Sequence, residues 1–187
     1  MKPLDIALWL WCLWGFLWAV LALRTQSTVK AEASVSRLFH VSLLVASFFL
    51  MYKQFSGGVL GSVLFTPSLA VSILGLVLVG KGIIFSCWAR FHLGKYWSGR
   101  ITLKQDHKLI QSGPYRWVRH PIYTGILLAM LGTALMIGKV HAFAAVLIMF
   151  VAYCYKISRE EKLLSQQFGS DYEAYRQRTK ALLPLIW

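Results

Sequence analysis

Acidic side chains are scarce in this chain: 7 Asp and Glu stand against 20 Lys and Arg, a formal charge of +13. In a soluble protein that imbalance would raise nucleic acid as a partner. Here the basic residues lie between apolar runs and no RNA- or DNA-binding pattern is present, so anionic lipid headgroups account for them. Cysteine is equally sparse. Cys12, Cys87 and Cys154 sit inside apolar runs, with no CxxC pair and no histidine at metal-ligand spacing, so neither a disulfide framework nor a metal site is implied. His40, His92 and His141 are isolated and read as interface or packing histidines. No internal repeat or low-complexity segment is visible.

What the chain does have is hydrophobicity. Of its 187 residues 57% are hydrophobic, and the mean hydropathy is +0.57, which places it among integral membrane proteins with room for one domain. Residues 4–23 form an apolar run of about 20 residues carrying four tryptophans, enough to cross a hydrocarbon core of roughly 30 Å. A cleavable signal peptide is the competing reading, disfavoured by Asp5 and the long Trp-rich core. Residues 38–52 and 69–93 follow as second and third runs. Gly80 and Gly82 in the third would allow close helix packing, and Lys81 between them would snorkel or face the interior.

A long loop of mixed polarity comes next, too long to be an idle connection. Runs 122–137 and 142–155 then read as a tight helical hairpin, each short for a full span. From Ser158 the pattern turns amphipathic, with Leu163, Leu164, Phe168, Tyr172 and Tyr175 among polar residues, as in a helix interrupted by Gly169, ended by Pro184 and lying on the membrane surface.

Orientation follows from the basic residues. Loops 24–37 and 90–119 and the tail from Lys156 hold 16 of them, against Lys2, Lys53 and Lys139 on the opposite side. Five spans with the N-terminus outside and the C-terminus cytosolic satisfy the positive-inside rule. The expected fold is therefore all-α: a membrane bundle of about five transmembrane helices plus a C-terminal amphipathic interfacial helix. It reads as one domain, with three N-terminal spans in residues 1–93 and the loop, hairpin and C-terminal helix in residues 94–187.

The chemistry concentrates in two stretches that this topology brings to one face: HKLIQSGPYRWVRHPIYTG at residues 107–125 and KISREE at residues 156–161. Ionisable residues at a membrane boundary are functional suspects by default. Arg116 and Arg119 taken singly read as lipid-phosphate contacts. Pro121 suits a first helical turn, and the amides of Ile122 and Tyr123 beyond it can donate to an anion. Glu160 and Glu161 can accept from a cation. Together they suit a zwitterionic amino-acid moiety. An N-cap beside solvated glutamate ion pairs would use the same residues, and physics alone names no reaction.

GPYRWVRHPIYTG followed by REEKLLSQQFGSDYEAY, with LGKYWSGRITLKQDHKLI upstream, resembles the signature of the isoprenylcysteine carboxyl methyltransferase and phospholipid methyltransferase families. The resemblance covers residues 92–184. It implies S-adenosyl-L-methionine as cofactor, held by His107, Lys108, Leu109, Ile110, Tyr115, His120, Pro121, Ile122, Tyr123 and Glu160, with Glu161 as supporting partner and Arg100 at a further contact position whose residue type differs. Where the carboxyl methyltransferases place an arginine for the substrate carboxylate, this chain has Lys156, which keeps the charge and loses the bidentate fork.

The implied activity is methyl transfer to a lipid-like acceptor entering from the bilayer, a carboxylate such as that of an isoprenylcysteine. Lys156, Glu160 and His120 are the candidate catalytic residues. Methylation of a phospholipid amine, or a non-catalytic membrane scaffold or transporter keeping the fold, are the alternatives. Neither nucleic acid nor metal is called for.

Overall fold

The computed structural model describes residues 2–23, 28–31, 34–97, 102–104 and 109–183. Seven helices are present among them: α1 (Pro3–Ala22), α2 (Ser34–Tyr52), α3 (Gly58–Gly61), α4 (Leu69–Leu93), α5 (Pro121–Ile137), α6 (Val140–Phe168) and α7 (Ser170–Arg178). A two-stranded antiparallel ladder, β1 (Thr28–Ala31) with β2 (Thr102–Lys104), joins the α1–α2 connection to the long loop. The sequence reading did not include it, because four- and three-residue strands leave no periodic signal.

Among the described residues, three helices are long and apolar enough to cross a membrane: Pro3–Ala22, Leu69–Tyr96 and Val140–Phe168. Val41–Tyr52 and Pro121–Ile137 are shorter apolar helices. Leucines, valines and aromatics along their outer faces are exposed, among them Phe16, Val45, Ile84 and Leu147, as a surface facing hydrocarbon requires.

Small residues bind the core helices where lipid offers no hydrophobic gain. Helices α4 and α5 run antiparallel with Gly75 against Gly132 and Gly82 against Gly125. A Cβ at Gly75 would stand 2.6 Å from the Gly132 carbonyl oxygen, and one at Gly125 would stand 2.5 Å from that of Gly82. The two backbones touch. The heptad spacing of both pairs keeps the seam on one face of each helix.

Tryptophans of α1 face the same core: Trp11 Nε1 donates to Thr133 Oγ1 at 3.1 Å and Trp14 Nε1 to Ser86 Oγ at 3.0 Å. Their N–H groups are thereby satisfied away from water. Arg90, buried at the end of α4, donates to the carbonyls of Leu21 and Gly94 and lies over the Trp97 ring. It thus caps the C-terminal ends of α1 and α4 together. On the other flank Ser47 Oγ donates to Ala145 O at 2.6 Å, and His141 Nδ1 lies 2.9 Å from Leu50 O, so α2 runs antiparallel to α6.

One boundary differs from the sequence reading. The fifth apolar run does not stop at Tyr155: α6 continues through the polar stretch to Phe168, since Lys, Glu, Leu and Gln are good helix formers and nothing interrupts them before Gly169. Gly169 takes φ 52°, which a residue with a side chain adopts at a cost, and separates the nine-residue α7. Tyr172 and Tyr175 on α7 are buried against protein, so the separate C-terminal helix is much shorter than the amphipathic pattern suggests. Lys81 is exposed, in keeping with snorkelling.

Candidate functional site

The segment from Ile110 to Pro121 crosses one end of the bundle and is pinned from several sides. A 3-10 turn, Gly113–Arg116, buries Pro114 and Tyr115. Tyr115 Oη reaches Ala89 O at 3.4 Å, and its carbonyl accepts from Tyr175 Oη at 2.6 Å. Burial pushes the Tyr175 phenol well above its ordinary value, so it stays protonated as a donor. The C-terminal segment runs parallel beside the loop: Arg119 N donates to Lys180 O at 2.8 Å and His120 N to Ala181 O at 3.0 Å. Thr124 Oγ1 adds a bond to Leu182 O at 2.7 Å.

This clamp delivers Arg119, His120 and Tyr123 to the face of α6 that carries Tyr153, Lys156 and Glu160. Tyr123 Oη donates to both carboxylate oxygens of Glu160, at 2.8 and 3.0 Å. His120 stands between the glutamates, with Nδ1 3.6 Å from Glu160 Oε2 and Nε2 3.1 Å from Glu161 Oε1. Arg119 Nε donates to Glu161 Oε1 at 2.8 Å, and its Nη1 also reaches the carbonyls of Arg176 and Thr179. Lys156 is buried, its Nζ 3.9 Å from Glu160 Oε1 and 5.4 Å from the centroid of the Tyr123 ring. The rings of His120, Tyr123 and Tyr153 stack at 5.6 and 4.4 Å with interplanar angles of 5° and 14°.

The two glutamates have different work. Glu161 is consumed by Arg119, His120 and Arg176 and holds the loop to α6. The Glu160 side chain keeps 19% exposure, and a carboxylate has about four acceptor positions, so it can still receive an ammonium. The amides of Ile122 and Tyr123 lie in the first turn of α5, where a helix supplies no acceptor of its own. A carboxylate group can be met there. An acceptor for one charge of an amino acid and donors for the other thus lie at the same end of α5.

A sequence model of the isoprenylcysteine carboxyl methyltransferase family matches residues 73–166. The chain belongs to this family. A protein of Oryza sativa subsp. indica named "Probable protein-S-isoprenylcysteine O-methyltransferase" is 36% identical over 119 residues, a match taking in 62% of each chain. Protein-S-isoprenylcysteine O-methyltransferase B of Arabidopsis thaliana is 27% identical over 178 residues and 90% of each chain. The solved structure of the eukaryotic intramembrane Ras methyltransferase, an isoprenylcysteine carboxyl methyltransferase, superimposes with a TM-score of 0.58 at 25% identity, covering 83% of this chain and 54% of that one. The match thus spans less than two thirds of the rice relative. This family member is an integral membrane protein that crosses the bilayer more than once, and the family uses S-adenosyl-L-methionine as methyl donor.

Of the residues singled out from the sequence, His120, Pro121, Ile122, Tyr123, Lys156, Glu160 and Glu161 come together, and Tyr115 sits in the turn leading into them. Leu109 and Ile110 are half-buried, Ile110 packing against the main core. Arg100, His107 and Lys108 lie outside the described residues. Arg119 corrects its single-residue reading as a lipid contact: its side chain is only 9% exposed and is engaged inside the protein. Arg116 is exposed.

Tyr153 and Arg176 were missed. Tyr153 had a usable signal, since it precedes Lys156 by three residues and Glu160 by seven, which is one helical face. Arg176 had none, because α7 reaches Glu161 only through the reversal at Gly169.

Proposed function

We propose that this chain transfers the methyl group of S-adenosyl-L-methionine to the carboxylate of an isoprenylcysteine or similar lipid-borne acceptor at the cytosolic face of a membrane. The observation that supports this most is the convergence of Tyr123, Lys156 and Glu160 beside the first turn of α5. The residues fit the cofactor's amino-acid end: Glu160 for the ammonium, the Ile122 and Tyr123 amides for the carboxylate. Tyr115, Leu109 and Ile110, with His107, Lys108 and Arg100 by resemblance, would hold the nucleoside end.

When bound, the cofactor supplies an activated methyl group on a sulfonium centre. A carboxylate takes that group without a general base, so the protein's task is to align the acceptor and exclude water. Lys156 would fix the acceptor carboxylate. Its buried charge is balanced by Glu160 in the described site, and an anionic acceptor adjoining it completes the same balance. A lipid amine acceptor would first have to lose a proton, with His120 or a glutamate as the candidate base. The replacement of the family's arginine by Lys156 is the observation that keeps this second reading in play.

In this reading α1, α2, α4, α5 and α6 cross the membrane in turn, the alternating helix directions matching the asymmetry of the basic residues. The loop, the polar end of α6 and α7 then lie on the cytosolic side, and the acceptor's apolar tail enters between helices. Incubating the purified protein with methyl-labelled cofactor and either a prenylcysteine analogue or phosphatidylethanolamine tests the reaction. A base-labile methyl ester on the first is expected; stable N-methylation of the second alone would replace the proposal with its alternative.

A further inference from the structure

Glu161 separates two environments. On one side lies the Glu160 cluster; on the other, a half-open cavity of about 350 Å³ lies between α6, Arg176 of α7 and the C-terminal segment at Ala181. Arg119, Lys162 and Arg176 line it with Glu161 as the only carboxylate, and Ser158 and Ser165 add hydroxyls. Glu173 pairs with Arg176 just beside this lining, so three cations against two anions leave one positive charge facing a space large enough for a compact polar group. Glu161 and Glu173 between them offset Arg119 and Arg176, so the surplus charge is that of Lys162. Lys162 makes no ion pair among the described residues, and Arg176, 54% exposed, stands 3.6 Å from Glu161 and 3.8 Å from Glu173. The inner wall is apolar, formed by Cys154, Ile157 and Ala181.

We infer that this cavity is a phosphate-binding site, separate from the methyl-transfer site and filled by the phosphate of an anionic phospholipid. The chemistry selects a phosphoryl group: guanidinium and ammonium donors from two helices face it, while the Ser158 and Ser165 hydroxyls already donate to Tyr155 O and Glu173 Oε1. A zwitterionic headgroup would bring its own cation against Arg176 and Lys162. The place selects a lipid, because the cavity opens where the apolar run of α6, ending at Tyr155, gives way to its polar continuation, the level at which headgroups lie in the five-span reading. Free phosphate shares the chemistry and lacks the glycerol and acyl carbons that Cys154 and Ile157 would cover.

The test is direct binding, independent of methyl transfer. The purified full chain in detergent is titrated with short-chain phosphatidic acid, short-chain phosphatidylcholine and inorganic phosphate by calorimetry. Saturable binding of phosphatidic acid is expected, with phosphatidylcholine weaker and inorganic phosphate competing only weakly. Lys162→Gln should weaken phosphatidic acid binding about fivefold, equivalent to about 1 kcal/mol at 1.4 kcal/mol per tenfold, and Lys162→Glu should weaken it further. Lys162 is exposed, so both variants should fold, and an unchanged S-adenosylhomocysteine affinity verifies that. Inorganic phosphate binding as tightly as the lipid, and sensitive to Lys162→Gln, would keep the phosphate site and make free phosphate its occupant. Absence of saturable binding by either phosphate probe, or equal binding by the parent and both variants, would overturn the inference.

Discussion

Tyr123 Oη donates to both carboxylate oxygens of Glu160, at 2.8 and 3.0 Å, across the α5–α6 hairpin. A tyrosine one residue beyond the helix-opening Pro121–Ile122 pair thereby sets the direction of the carboxylate 37 residues later in the chain. Tyr123→Phe keeps the stacked ring and removes the donor. Binding of S-adenosylhomocysteine to this variant should weaken by about 1 kcal/mol, the net value of one such bond. Affinity equal to or above the parent's would show that the phenol does not orient the site.

The glycine seam between α4 and α5 predicts a sharp contrast between two neighbouring positions. A Cβ at Gly82 would meet Ala129 N at 2.7 Å, whereas one at Gly80 has nothing within 4 Å. Gly82→Ala should therefore destabilise by about 1–3 kcal/mol, as overpacking does, and Gly80→Ala should be close to neutral. Apparent melting temperatures in detergent measure both. Similar values for the two variants would contradict the contact seam.

Much of the architecture was legible beforehand because apolar length and turn residues report helices well. The run 69–93 coincides with α4, and the reversal at Gly138 falls where the sequence put it, with φ 67°. The break at Gly169 was legible, but the continuity of α6 past Tyr155 was not: the amphipathic pattern after Ser158 arises equally from a surface helix and from a helix that continues past the apolar zone with one face on protein. Within the site, RHPIY and REE were readable as charge and proline in a hydrophobic chain. Their support was not, since the pairing of Val118 with Lys180 and the bond from Tyr175 to Tyr115 join segments 62 and 60 residues apart with no motif of their own.

Topology can be checked without activity. Single cysteines at Ser34 and Gln166 in a Cys-free background should be labelled by an impermeant reagent only from the cytosolic side, since the basic residues gather there. Labelling of either from outside would refute the five-crossing arrangement.

Lys156 should separate acceptor from cofactor. Lys156→Met is expected to raise the KM or lower the kcat for a prenylcysteine carboxylate while leaving cofactor affinity nearly intact. Lys156→Arg should preserve or improve turnover, because the guanidinium can meet both carboxylate oxygens. Steady-state kinetics of the three proteins decide; equal constants throughout would remove Lys156 from the acceptor site.

The central claim is that Glu160 receives the ammonium of the cofactor, and titration of Glu160→Gln with S-adenosylhomocysteine measures it most directly. The amide keeps the shape and loses the charge, so the account predicts a loss of roughly 1.5–3 kcal/mol, about 10- to 100-fold in affinity, with the helical fold retained. Binding by Glu160→Gln as tight as that of the parent protein would contradict it.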